Sequence, residues 1–220
     1  MKNKRATITK RPIQDRHSTN IMSRKEQNFK LLAFDAYGTL CCIASKHQAY
    51  TEIIDQVEMG YKKAASLLMT SKLSLVDLFH INSALEQRVA KKIQAELRSV
   101  TPFDESLEVL RQVREKGLEI AIVSNLSVPY AEPLKRLFGQ YVDYSIFSFA
   151  VGYKKPEPEI YNELLAQSSC DANEILMVGD SIKSDIEGAR NAGIKSVWLN
   201  RNSIKVDGSI STLEEVFEYL

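Results

Sequence analysis

Apolar positions along this chain fall into two rhythms. Short unbroken apolar runs, such as LLAF at 31–34 and ILMV at 175–178, are closed by Asp or Gly and read as strands buried on both faces. Longer stretches place apolar residues three and four apart, which is the period of an amphipathic helix. In the second half the two alternate. Strands are expected at Leu118–Val123, Tyr144–Phe149, Ile175–Val178 and Ser196–Leu199. Helices are expected at Glu105–Lys116 before Gly117, Tyr130–Phe138 before Gly139, Pro158–Gln167, and Lys183–Ala192 before Gly193. Ser211 with Glu214 reads as a capping box for a terminal helix. Together with Leu31–Phe34 this predicts an α/β fold around a doubly wound, parallel, five-stranded Rossmann-like sheet.

One block breaks the alternation. Tyr50, Ile53, Ile54, Val57, Tyr61, Ala64, Ala65 and Leu68 mark one face of a helix or of a broken pair, and Leu75–Leu97 continues in the same way until Pro102. A strand-to-helix connection of that length is too long to be an ordinary loop. Residues 43–101 therefore read as an inserted all-helical cap, and 30–42 with 102–220 as the core.

Charge changes the picture only at the start. Residues 1–30 carry nine Lys or Arg against Asp15 and Glu26, whereas the whole chain has a formal net charge of only +1. With no apolar period, residues 1–29 read as a solvated, disordered extension; a start at Met22, or a basic arm for an acidic partner, are the other readings. The near-neutral total points to no nucleic-acid partner. No apolar run reaches membrane-spanning length, and the N-terminus lacks the apolar centre of a secretory signal. Cys41, Cys42 and Cys170 form no CxxC pattern, and adjacent cysteines do not readily bridge, so a reducing cytoplasm is expected. The three histidines have no metal-ligand spacing, and Trp198 reads as core.

The chemistry gathers at strand ends. Asp35 follows LLAF and precedes a Gly-Thr turn; Ser124-Asn125 follows the second strand; Lys155-Pro156 follows the third; GDSIKSD, residues 179–185, follows the fourth. A strand-end carboxylate can bind a metal, accept a proton or attack an electrophile; Asp35 is also a candidate for merely capping its turn. Asp180 and Asp185 beside Asp35 would repel one another unless a cation lies among them, and a hard divalent ion such as Mg²⁺ suits oxygen ligands.

These four pieces, in this order, resemble the signature of the haloacid dehalogenase (HAD) superfamily over residues 31 to about 200. The resemblance implies that Asp35 is a nucleophile forming a covalent aspartyl intermediate. It implies Mg²⁺ held by Asp35, the Tyr37 carbonyl and Asp180, with Asp185 as a ligand, as support, or as the cap of the helix near Lys183. Lys155 would neutralise the nucleophile, with Lys154 as a solvated neighbour. Ser124 and Asn125 would bind phosphate oxygens or a substrate carboxylate. Thr39 would turn its hydroxyl and amide toward the transferring group, or simply form the turn.

The two ends of the site point to different substrates. Phosphatases of this superfamily usually carry a second Asp, the leaving-group acid, where this chain has Tyr37. FDAYGTL instead resembles the 2-haloacid dehalogenases, which expel halide and need neither that acid nor a metal. GDSIKSD is the phosphatase form. The leading expectation is a Mg²⁺-dependent phosphatase acting on a small phosphorylated metabolite. A 2-haloacid dehalogenase is the alternative; it needs a cap arginine, and Arg88 and Arg98 are the arginines available there. A binding or regulatory protein with weakened catalysis is the third reading.

Overall fold

The structure is a computed structural model and describes residues 28–202 and 206–220. The extension expected over 1–29 lies outside the described residues except at its end, where Phe29 is buried in the core.

Strand β1 (Leu31–Phe34) leads through β2 (Cys41–Ile43) into four helices: α1 (Thr51–Ile54), α2 (Tyr61–Thr70), α3 (Leu75–Phe79) and α4 (Ser83–Arg98). The chain returns through β3 (Val100–Pro102) to α5 (Ser106–Glu115), β4 (Glu119–Ser124), α6 (Ala131–Phe138), β5 (Tyr144–Phe147) and the short α7 (Ser148–Val151). It finishes with α8 (Pro158–Ser168), β6 (Ile175–Gly179), α9 (Gly188–Asn191), β7 (Lys195–Leu199), β8 (Ser209–Ile210) and a 3₁₀ turn, Leu213–Tyr219.

The main sheet runs β5-β4-β1-β6-β7-β8, every pair parallel. Alternate residues of β1 feed opposite layers. Leu32 and Phe34 share a buried cluster with Leu110 and Val113 of α5, while Leu31 and Ala33 share one with Ile160, Tyr161 and Leu164 of α8. Burial on both faces is why the strand reads as a continuous apolar run rather than an alternating one. The sheet has six strands rather than the expected five, because β8 is only two residues long and carries no readable period.

The helices between β2 and β3 are the expected block, broken more often than the periodicity implied. Gly60, at φ +79°, separates α1 from α2. Ser74 and Asn82 start α3 and α4 by accepting the amides of Asp77 and Leu85. The antiparallel ribbon β2–β3, paired from Cys41–Pro102 to Ile43–Val100, ties together the two passages into and out of this block. It was not legible in strands of three residues.

Three local expectations are corrected. The helix expected over Lys183–Ala192 is a wide π-type turn, Ile182–Glu187, followed by the short α9. The terminal capping box is Thr212 with Glu215, one residue further on. Trp198 is half-buried rather than core, and its indole Nε1 donates to the Asp180 carbonyl at 2.9 Å.

Candidate active site

The strand order reverses direction at β1, and ligands of open parallel sheets bind beyond the strand ends at such a point. Asp35 leaves β1 there, Ser124 ends β4 and Asp180 follows β6. Lys155 reaches in from the loop before α8. Its Nζ donates to Asp35 Oδ1 at 2.7 Å, Asp185 Oδ1 at 2.6 Å and the Val123 carbonyl at 2.6 Å. An ammonium has three donors, and these acceptors use all of them. Burial alone would lower the Lys155 pKa; the carboxylates of Asp35 and Asp185 outweigh it and hold the pKa above its ordinary value.

Asp185 does not cap the turn that contains it. Ser181 does, accepting the Ser184 amide at 3.2 Å. Asp185 Oδ2 accepts the Ser181 amide at 2.9 Å, so one oxygen fixes the loop and the other orients Lys155. Gly179 is required for this approach, since a Cβ there would lie 2.4 Å from the Asp185 carboxyl carbon.

Asp35, Asp180 and Asp185 can bring ligand oxygens within 4.8 Å of one another. Asp180 is exposed, whereas Asp35 and Asp185 are buried. Desolvation, then the neighbouring carboxylates, raises the pKa of Asp180; desolvation does the same for Asp185, offset in part by Lys155. One lysine against three carboxylates leaves a net charge of −2 when all are ionised. An all-oxygen donor set of that charge fits a hard divalent cation. Gly38 closes the loop over Asp180 at φ +105°, and a Cβ there would stand 2.3 Å from Asp180 Oδ2. Gly38→Ala is therefore expected to cost roughly 1–3 kcal/mol in backbone strain and to displace Asp180. Urea denaturation and the apparent Mg²⁺ affinity measure the two effects.

The remaining expected residues divide. Ser124 Oγ donates to Asp35 Oδ1 at 3.1 Å, beside the lysine. The Asn125 side-chain amide clamps the lysine backbone in both directions: Nδ2 donates to the Lys155 carbonyl at 2.8 Å, and Oδ1 accepts the Lys155 amide at 2.7 Å. The Thr39 amide is committed to the Ala36 carbonyl at 3.3 Å, while its buried hydroxyl has no partner. The Tyr37 hydroxyl donates to the Tyr130 carbonyl at 2.8 Å, and desolvation raises its pKa. Lys154 is not a free surface residue; its Nζ donates to Ser66 Oγ of α2 at 2.7 Å.

Sequence reasoning missed a second group. Beside the strand edge lies a cavity of about 620 Å³ that Tyr37 and Asn125 line together with Tyr50, Tyr130, Leu68, Met69 and Glu96. Glu96 is buried in its wall. One carboxylate oxygen accepts the His47 amide at 2.6 Å and the other accepts the Tyr130 hydroxyl. Tyr50 and Ser127 hydroxyls bond at 2.7 Å, joining the helices to the core. The signal was present in the sequence: Leu85, Val89, Ile93, Glu96 and Leu97 form the buried stripe of α4, and a carboxylate on such a stripe is anomalous. Neither Arg88 nor Arg98, the arginines available for a dehalogenase, lines this cavity. Arg88 pairs with Glu52 at 3.1 Å on the exposed outer face.

Residues 29–193 match the family model described as haloacid dehalogenase-like hydrolase. This chain belongs to that family. It is 40% identical over 94 residues to a glyceraldehyde 3-phosphate phosphatase of Pyrococcus abyssi, a match covering 42% of this chain and 40% of that protein. It is 29% identical over 178 residues to a phosphorylated carbohydrates phosphatase of Thermotoga maritima, covering 76% of each. The matched segment thus spans less than half of the first relative. In fold it resembles the crystal structure of a HAD phosphatase from Thermococcus onnurineus, with a TM-score of 0.64, 23% identity, and 87% and 97% of the two chains covered. Among the described residues no helix is long and apolar enough to cross a membrane.

Proposed function

We propose that this HAD-family hydrolase is a Mg²⁺-dependent phosphatase that cleaves a small phosphate ester through an aspartyl phosphate at Asp35. The observation that carries the reading is the residual charge: three carboxylates can bring oxygens within 4.8 Å of one another, and the one buried lysine pairs with only two of them, Asp35 and Asp185, which suits a divalent cation. Asp35, Asp180 and the Tyr37 carbonyl would hold Mg²⁺, which when bound screens the phosphoryl oxygens and lowers their repulsion toward the nucleophile. Asp185 is bonded to Lys155 and to the Ser181 amide, and acts as the positioning residue for that lysine.

The chain's own residues divide the work. An Asp35 carboxylate oxygen attacks phosphorus, the phosphorus–oxygen ester bond breaks, and its electron pair leaves with the alcohol oxygen. Lys155 balances charge on Asp35, Ser124 orients it, and Asn125 holds the lysine loop. Water then attacks phosphorus, and the bond from phosphorus to the Asp35 oxygen breaks with its electron pair returning to the carboxylate. The proton that water gives up balances, through solvent, the one taken up by the departed alkoxide; phosphate is released and Asp35 restored. The helical block over residues 43–101 acts as the cap that covers the site and contacts the alcohol portion.

Tyr37 is a poor acid here, because its hydroxyl is engaged by the Tyr130 carbonyl and its pKa is raised. Esters with good leaving groups should therefore turn over faster than alkyl phosphates. Acid assistance is worth roughly 10²–10⁴-fold, so Tyr37→Asp is expected to accelerate alkyl ester hydrolysis by about tenfold or more. Tyr37→Phe should leave p-nitrophenyl phosphate hydrolysis within about threefold of wild type, since no proton is transferred from that hydroxyl. Steady-state kinetics of folded variants checks both; no gain from Tyr37→Asp would count against this assignment.

A 2-haloacid dehalogenase remains the second reading, favoured by Tyr37 in the place of the acid. Phosphate release with and without Mg²⁺, measured beside halide release from 2-chloropropionate, separates the two. The phosphatase reading expects phosphate release that EDTA abolishes and Mg²⁺ restores. Metal-independent halide release would replace it.

A further inference from the structure

We infer that the cavity beside the strand edge selects phosphate esters whose alcohol portion is a ring-bearing group that carries no negative charge and offers a hydrogen-bond donor to Glu96. This rests on the phosphatase reading and adds the substrate class. The cavity, about 620 Å³, is within the range of small-molecule sites. It meets the catalytic edge at Tyr37 and Asn125, so a phosphoryl group at Asp35 would direct its alcohol portion toward this space. The rings of Tyr37 and Tyr50 lie 6.0 and 6.2 Å from that of Tyr130, forming an aromatic wall suited to a flat group.

Charge sets the other half of the selection. Glu96 is 5% exposed, and among the described residues no lysine, arginine or histidine lines the cavity. The partners of Glu96 are both neutral, the His47 amide and the Tyr130 hydroxyl. A carboxylate oxygen accepts more than one hydrogen bond, so Glu96 retains capacity for a donor on the substrate. A carboxylate or second phosphate on the alcohol would face Glu96 at low dielectric with no cation among the described lining residues to offset it.

The test uses three aryl phosphates of similar leaving-group strength: 4-(hydroxymethyl)phenyl, phenyl and 4-carboxyphenyl phosphate. Wild-type kcat/KM should fall in that order, with the first exceeding the last by at least about tenfold, as expected for a like-charge contact at low dielectric. Glu96→Gln should collapse that ratio to about threefold or less, while phenyl phosphate, which has neither donor nor charge on its ring, changes least. Equal rates across the wild-type series, or a ratio unchanged in Glu96→Gln, would overturn the inference. A binding readout stands apart from turnover. Saturation-transfer NMR on Asp35→Asn protein should detect 4-hydroxybenzyl alcohol and not 4-hydroxybenzoate. Selective binding without phosphate release from any ester would sink the phosphatase reading and leave the cavity assignment standing; equal binding of the two ring compounds would sink the assignment itself.

Discussion

Asp35→Asn is expected to abolish phosphate release, lowering kcat on the order of 10⁴-fold or more, the scale seen when a catalytic nucleophile is removed. The carboxamide keeps the size of the side chain and retains one oxygen for Lys155 and Ser124. It offers no anionic oxygen to phosphorus. Because Lys155 also bonds Asp185 and the Val123 carbonyl, the lysine should stay in place. Loss of activity should therefore come without unfolding. Phosphate release and circular dichroism on the same preparation check the two halves, and substantial residual turnover would remove Asp35 from the nucleophile role.

Lys155→Met is the second large effect, and it falls on stability as well as rate. The lysine side chain is 2% exposed and bridges two carboxylates that are 10% and 2% exposed. In metal-free protein, removing it leaves buried like charges without a counter-ion. Breaking a buried pair in this way costs roughly 3–5 kcal/mol, whereas replacing an entire buried pair with apolar groups is often close to neutral. The double variant Lys155→Met/Asp185→Leu should therefore recover part of the loss. The linkage has a definite sign. The Lys155 pKa is raised in the folded state, so its contribution is complete below the ordinary lysine value near ~10.4 and is lost as pH rises through the folded value. Urea denaturation at neutral and alkaline pH should show wild type losing stability at high pH, and Lys155→Met losing less over the same interval.

How much of this was legible in the sequence depended on the kind of contact. LLAF and ILMV declared themselves because a strand buried on both faces must be apolar throughout. β8 and the β2–β3 ribbon did not, since two or three residues hold no period, and their pairing is decided by what lies beside them. The helical block was legible as helix, but its breaks at Gly60 and at the Asn82 cap were only partly so. At the site, chain order singled out Asp35, Lys155 and the acidic pair as strand-end candidates, and the structure brings them together. It could not show that Asn125 serves the lysine backbone, or that Asp185 shares the lysine with Asp35, because those bonds cross 30 residues of chain. Glu96 was missed for a different reason. It lies in a helix whose apolar period dominates the pattern, so a single polar residue on the buried face does not stand out.

The most direct test of an aspartyl phosphate at Asp35 is chemical trapping. Wild-type protein turning over p-nitrophenyl phosphate with Mg²⁺ would be quenched with borohydride, which reduces an acyl phosphate to the alcohol, and its peptides read by mass spectrometry. The account predicts homoserine at position 35, dependent on both ester and metal and absent from Asp35→Asn. Phosphate accumulating while residue 35 remains aspartate under the same quench would contradict it.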